Sequence, residues 1–200
     1  MIHSRSRRAA KPMVKLNCAA FPQAMIEGEL FGYVKGSFTG AVQSRIGRIH
    51  AAHGGTLFLD EIGDMPLSLQ SKILRFLEQG EVQRIGGNDN LKVDVRVVAA
   101  TNADLHGLVK QHLFREDLYY RLAIFPIKLP PLRERLGDVE KLAAAFLAKF
   151  CPGETLSAGA VEALCRHGWP GNVRELRNVV ERASIFVSGE REILPQHIIL

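Results

Sequence analysis

Residues 54–80 read GGTLFLDEIGDMPLSLQSKILRFLEQG, and the order of features within them decides the fold. Thr56-Leu57-Phe58-Leu59 is an apolar run too short for a helix and suited to a strand buried on both faces. It ends in two adjacent acids, Asp60 and Glu61. After Asp64-Met65-Pro66, where proline suits a first helical turn, Leu69, Ile73, Phe76 and Leu77 fall on one helical face until Gly80. A buried strand followed by an amphipathic helix is the repeating element of an α/β sheet.

Working outward, Met13 to Cys18, Val93 to Ala99 and Leu122 to Leu129 are further short runs of Val, Leu, Ile and Phe that read as buried strands. Glu81 to Val98 reads as a hairpin around the turn residues Gly86-Gly87-Asn88-Asp89. Alternating strands and helices predict a parallel sheet covered on both faces. Leu129-Pro130-Pro131 ends the alternation. Beyond it, Asp138 to Phe150, Ser157 to His167 and Pro170 to Val187 place apolar residues at helical spacing. The expectation is an α/β part over residues 1–134 and a small all-helical part over 135–200, with no internal repeat.

A hydrophobic fraction of 46% with 24% charged residues excludes a disordered chain. No apolar run approaches the roughly 20 residues that cross a bilayer, so a soluble protein is expected. Cys18, Cys151 and Cys165 are far apart and lack metal-ligand spacing, which reads as reduced thiols in a cytosolic protein. His50 and His53 have no further ligand nearby and read as a helix end before Gly54-Gly55. The net charge of +5 invites a nucleic-acid reading, but Arg5, Arg7, Arg8, Lys11 and Lys15 account for all of it. The rest of the chain is balanced, so a DNA-binding face gets little support. The same Arg- and Ser-rich start has the composition of a mitochondrial presequence, yet it runs without a break into the first strand.

Acids at the carboxyl end of a buried parallel strand lie where open α/β sheets bind ligands. Asp60 there suits Mg²⁺ on a nucleoside triphosphate, and Glu61 suits orientation of an attacking water; the alternative is a strand ending in a polar turn. Val98-Ala99-Ala100-Thr101-Asn102 is a second apolar run ending in polar side chains, read either as phosphate contacts or as a turn. Arg115 and Arg121 lie in Phe114-Arg115-Glu116-Asp117-Leu118-Tyr119-Tyr120-Arg121, where Arg121 suits either transition-state stabilisation on a neighbour's nucleotide or an i,i+4 pair with Asp117. Arg174 sits in the first turn of a helix opened by Trp169-Pro170-Gly171-Asn172. A cation there opposes the helix dipole, unless an anion or Glu175 answers it. In Gly36-Ser37-Phe38-Thr39-Gly40-Ala41, two glycines bracket an aromatic, which describes either a loop displaying Phe38 to a partner or a tight turn with Phe38 tucked inside.

Together these motifs resemble the central AAA+ domain of sigma-54-dependent transcription activators, the bacterial enhancer-binding proteins, from about His3 to Leu200. The resemblance implies a P-loop NTPase-type α/β fold followed by a helical lid. Gly36 to Ala41 is similar to the family's GAFTGA loop, which contacts sigma-54, with Ser37 where Ala is usual. Thr56 to Glu61 resembles Walker B, with Asp60 for Mg²⁺ and Glu61 for the catalytic water. Leu16-Asn17-Cys18-Ala19-Ala20 resembles the segment whose Asn pairs with that Glu as a nucleotide-sensing switch. Thr101-Asn102 is similar to sensor I, Arg115 and Arg121 to paired arginine fingers, and Arg174 within Gly171 to Leu176 to sensor II. By the same resemblance, the chain works with ATP and Mg²⁺ in a ring of six or seven copies, in the bacterial cytoplasm, on sigma-54 RNA polymerase. DNA contact would belong to a domain outside these residues.

The chain contains no G-x-x-x-x-G-K-[ST] sequence. His3-Ser4-Arg5-Ser6 resembles the stretch just after the family's Walker A helix, so the central strand, the phosphate loop and most of that helix are absent from these residues. A phosphate loop supplies the backbone N–H groups and Lys that cradle the triphosphate. Residues 1–200 by themselves are therefore expected to be inactive. The alternative reading is a non-hydrolysing remnant that keeps only the sigma-54-contacting loop.

Overall fold

The computed structural model describes residues 1–187 and 192–200. The chain divides into two units, Met1–Pro126 and Ile127–Leu200, each with its own apolar core.

In the first unit, β1 (Met13–Asn17) leads through a 3₁₀ turn to α1 (Gln23–Phe31). A small antiparallel pair follows, β2 (Gly32–Tyr33) with β3 (Arg45–Ile46), and then α2 (Arg48–Ala51). Next come β4 (Thr56–Asp60), α3 (Leu67–Gln79), the hairpin strands β5 (Glu81–Gln83) and β6 (Asn90–Lys92), β7 (Arg96–Ala99), α4 (Leu105–Lys110) and α5 (Glu116–Leu122). The main sheet is parallel in the order β1-β4-β7, with Asn17 opposite Asp60 and Leu59 opposite Ala99. Leu57 and Leu59 of the middle strand are wholly buried among Ile26, Leu30, Ile49, Ile73 and Leu118. Each such leucine contributes about 1.5–3 kcal/mol relative to leaving it in water. The α3 helix follows its sequence pattern: Pro66 precedes it, Leu69, Ile73 and Phe76 are buried, and Gly80 ends it in left-handed backbone at φ 66°.

Two sequence readings shift. Leu122 to Leu129 is not a strand: Leu122 ends α5, and Ile124, Phe125, Ile127 and Leu129 are between 59% and 83% exposed. A strand needs a hydrogen-bonded neighbour, and among the described residues none pairs with β7 on the side away from β4. The hairpin is also shorter than Glu81 to Val98. After β6 the chain crosses to the main sheet, where the Asp94 carbonyl accepts the Gly54 N–H at 2.8 Å and β7 begins at Arg96.

The second unit holds α6 (Gly137–Phe150), β8 (Thr155–Leu156), α7 (Ala158–Arg166), α8 (Asn172–Phe186) and β9 (Glu192–Ile193). Its three helices lie where apolar spacing put them, joined by the short parallel pair β8–β9, which the sequence did not suggest. Trp169, Leu132, Leu147, Leu164 and Leu176 form its core.

The loop between β2 and β3 is closed at its neck by backbone contact. A Cβ on Gly47 would lie 2.3 Å from the Phe31 carbonyl carbon and 2.4 Å from the Gly32 nitrogen. Gly47 has an ordinary φ of −77°, so contact alone demands glycine. Beside it the Glu29 carboxylate pairs with Arg45 at 2.5 Å and Arg48 at 3.2 Å. Gly47→Ala is expected to lower stability by about 1–3 kcal/mol, the usual range for overpacking. Denaturant unfolding at equal protein concentration checks this, and an unchanged midpoint would show that the neck has room to spare.

Candidate functional site

Because β1, β4 and β7 run parallel, their carboxyl ends share one edge of the sheet, and five of the singled-out residues meet there: Asn17, Asp60, Glu61, Thr101 and Asn102. Asp60 is the last residue of the middle strand, and Asn17 stands opposite it in the ladder. Glu61 leaves the strand in left-handed backbone, φ 51° and ψ 52°, which costs a non-glycine residue on the order of 1–3 kcal/mol. The turn is held twice by the segment that follows β7: the Ile62 N–H donates to the Ala100 carbonyl at 3.0 Å, and the Asn102 N–H donates to Oε2 of Glu61 at 3.2 Å. One carboxylate oxygen of Glu61 is thus oriented by a backbone donor.

The side chains of Asn17 and Thr101 turn to their own backbones. Asn17 Oδ1 accepts the Ala19 N–H at 2.8 Å, and Thr101 Oγ1 accepts the Ala103 N–H at 3.0 Å. The described hydrogen bonds do not join Asn17 to Glu61, whose partner is Asn102. Cys18 lies beneath this edge. Burial pushes its thiol up to about 12, with Asp60, Asp64 and Glu61 adding to the rise through their charge.

Arg115 and Arg121 are exposed around α5. Arg115 meets Asp117 through Nε at 3.0 Å and Nη2 at 2.7 Å. The hydrogen bond to Asp117, followed by its charge, raises the guanidinium's pKa, and the same bond lowers that of the carboxyl. The i,i+4 pair of Arg121 with Asp117 does not form; Arg121 donates instead to the Leu77 carbonyl at 2.9 Å. Sequence reasoning missed Gln70, a fully buried amide on the apolar face of α3. Its Nε2 donates to the carbonyls of Met65 at 2.9 Å and Leu113 at 3.1 Å, and its Oε1 accepts the Arg115 N–H at 2.8 Å. A lone Gln between Leu69 and Ile73 was the available signal, since a polar side chain on a buried helical face needs partners.

The loop from Gly36 to Ala41 is folded on itself, with the Gly36 N–H donating to the Ala41 carbonyl at 2.9 Å and the Ala41 N–H to the Phe38 carbonyl at 3.0 Å. Phe38 is not tucked into the core: it is 48% exposed and meets the Tyr33 ring edge-on at 5.0 Å. The β5–β6 hairpin supports the loop. The Val34 N–H donates to the Ile85 carbonyl at 3.1 Å, and a Cβ on Gly86 would lie 2.6 Å from that of Ser37. In the second unit, Arg174 is exposed on α8 and lines a pocket of about 470 Å³ with Gly171, Glu175, Asn178 and Arg182. Glu175 does not neutralise it, because its oxygens take the Gly171 N–H at 2.8 Å and face His167 Nε2 at 3.0 Å.

Residues 1–128 match the sigma-54 interaction domain family and residues 133–199 the AAA+ ATPase lid domain family. The chain is 54% identical over 188 residues to a Nif-specific regulatory protein of Enterobacter agglomerans, covering 92% of the chain and 36% of that protein. It is 52% identical to the alginate biosynthesis transcriptional regulatory protein AlgB of Pseudomonas aeruginosa, covering 94% of the chain and 43% of that protein. The chain therefore spans well under half the length of these relatives. Among solved structures, NtrX from Brucella abortus in complex with ATP aligns with a TM-score of 0.89 at 36% identity, over 99% of the chain and 45% of that one. A RuvB mutant from Thermotoga maritima, at 14% identity and TM-score 0.58 over 95% of the chain and 52% of that one, shares the fold.

The raised pKa of Cys18 has a direct chemical consequence. Thiolate is the reactive form, so at pH 8 the partly exposed Cys151 and Cys165 should be alkylated by iodoacetamide while Cys18 stays unmodified until the chain is unfolded. Mass spectrometry of the three cysteine peptides reads the order, and labelling of Cys18 as fast as the others would contradict its burial.

Proposed function

The chain belongs to the sigma-54 interaction domain family, and from that premise we propose that residues 1–200 are most of the ATP-driven part of a bacterial transcription activator that, completed by a phosphate loop, turns hydrolysis into work on sigma-54 RNA polymerase. The observation that carries this reading is the meeting of Asp60, Glu61, Thr101 and Asn102 at one sheet edge whose middle strand continues through α3 into the hairpin beneath Phe38.

In this reading Asp60 takes Mg²⁺ that arrives with ATP. Among the described residues no three His, Cys, Asp or Glu side chains gather as a protein-only cage, which suits a cation bringing its own waters and phosphate oxygens. Glu61 polarises the attacking water with the carboxylate oxygen that Asn102 leaves open, while Thr101 and Asn102 report on the phosphate. Asn17 is the alternative partner for Glu61, one strand away. Arg115 and Arg121 serve the nucleotide of a neighbouring copy in a ring of six or seven. To do so they exchange Asp117 and the Leu77 carbonyl for phosphate, at small cost because these contacts are exposed. Arg174 is the cation that the helical unit offers to the nucleotide. Nucleotide use is supported by the ATP complex of NtrX.

The loop Gly36-Ser37-Phe38-Thr39-Gly40-Ala41 is the contact for sigma-54, with Phe38 as its apolar anchor. A change at Glu61 passes through the turn Ile62–Asp64 to α3, and from there through β5 to Ile85 and the base of the loop. DNA contact belongs to parts of the longer protein outside these residues. The bacterial cytoplasm is the proposed location, which fits the relatives' regulatory names; among the described residues no helix is long and apolar enough to cross a membrane.

In the full-length protein, Glu61→Gln should keep nucleotide affinity and slow turnover by roughly 10²–10⁴-fold, the usual worth of a positioned base. Calorimetric titration and a phosphate-release assay read the two quantities, and near-normal turnover would remove Glu61 from this role. Phe38→Ala should do the opposite, sparing hydrolysis while abolishing sigma-54 capture and open-complex formation. A Phe38→Ala protein that still captures sigma-54 in the presence of an ATP transition-state mimic would sink the contact assignment.

A further inference from the structure

The turn that opens α8 holds two residues in left-handed backbone, Trp169 at φ 48° and Asn172 at φ 54°. Trp169 precedes Pro170 and is fixed by complete burial and by its indole N–H, which donates to the Leu164 carbonyl at 2.9 Å. Asparagine tolerates left-handed backbone better than most residues, so the angle at Asn172 needs no further role. Its side chain has one. Oδ1 of Asn172 accepts the backbone N–H of Leu132 at 2.8 Å, forty positions earlier in the chain. Leu132 is wholly buried and opens the 3₁₀ turn Leu132–Glu134 just after Pro130-Pro131. The amide therefore joins this segment to the first residue of α8. Arg174 follows in the same helical turn, and the Glu175 carboxylate fastens the other side of that turn to Gly171 and His167. With its own turn so held, the Arg174 guanidinium has no ion-pair partner among the described residues and faces the pocket it shares with Asn178 and Arg182.

We infer that Asn172 is a positioning residue for Arg174: its side-chain amide locks the first turn of α8 to Leu132 and so sets the direction in which the guanidinium meets a nucleoside polyphosphate. This rests on the assignment of Arg174 to the nucleotide made above. Two substitutions separate the backbone angle from the hydrogen bond. Asn172→Gly accepts the left-handed angle and removes both the acceptor and the Nδ2 donation to the Pro170 carbonyl at 3.3 Å, whereas Asn172→Asp keeps an acceptor oxygen and loses only that donation.

The experiment compares these variants and Arg174→Ala in the full-length protein by hydrogen exchange at the Leu132 amide, thermal midpoint and steady-state ATP kinetics. For Asn172→Gly we expect Leu132 to exchange about tenfold faster and KM for ATP to rise about five- to tenfold, the worth of one lost hydrogen bond. Its kcat should stay close to that of the parent while its thermal midpoint falls by about a few degrees for the unpaired Leu132 N–H, and a rise in KM without a fall in kcat is a split that general loosening of the fold would not produce. Asn172→Asp should restore Leu132 protection. Unchanged exchange at Leu132 in Asn172→Gly overturns the proposal. So does an unchanged KM in that variant when Arg174→Ala raises KM, an outcome that leaves the Arg174 assignment standing. If Arg174→Ala itself leaves KM unchanged, the assignment falls and the positioning role falls with it.

Discussion

The site depends on β4 being hydrogen-bonded along both edges. Its ladder to β1 sets Asn17 beside Asp60, its ladder to β7 sets Leu59 beside Ala99, and the Ala100 N–H continues that ladder to the Leu59 carbonyl at 2.8 Å. A strand buried on both faces cannot leave backbone groups unpaired without a cost of about 1–3 kcal/mol each, so this register is firmly determined. Asp60 and Glu61 are presented where the ladders end, and the left-handed turn at Glu61 is tolerable because Ala100 and Asn102 grip it from the neighbouring strand.

From that turn outward, the first unit is assembled from few polar fasteners set in an apolar body. Gln70 carries three hydrogen bonds with no solvent contact, tying the start of α3 to the segment before α5 and so fixing where Arg115 emerges. Glu29, with its side chain only 10% exposed, holds two arginines at the neck of the Phe38 loop. Around these points the loop is rigid at its base and apolar at its tip. The exposed Phe38 above this tied base is the feature on which the proposed sigma-54 contact rests.

Much of this was legible in the sequence, for identifiable reasons. The α3 helix and the three helices of the second unit announce themselves because burial on one face leaves a 3.6-residue imprint on composition. The three strands of the main sheet announce themselves as short apolar runs with polar ends. Leu122 to Leu129 carries the same imprint without being a strand, since composition records suitability for a sheet and not the presence of a partner. The parallel pair of β8 and β9 left no imprint, being two residues long in each strand. Among the candidate site residues, the strand-end positions of Asp60, Glu61, Thr101 and Asn102 were readable, whereas Gln70 was passed over because two of its three partners, the Leu113 carbonyl and the Arg115 N–H, lie more than forty residues away.

The sequence by itself determined the alternation of elements, the acids after the central strand, the aromatic between two glycines, and the family to which these motifs belong. The individual motifs are local properties, each written within about a dozen residues and set by periodicity, chain stiffness or side-chain chemistry. Tertiary structure alone decided which groups hold which. Glu61 rests on Asn102 and not on Asn17, Arg121 on Leu77 and not on Asp117, and Asn172 reaches back to Leu132. A hydrogen bond requires two groups within about 3 Å and in line. For groups forty residues apart, that distance is fixed by the packing of everything between them and by nothing in their own neighbourhoods.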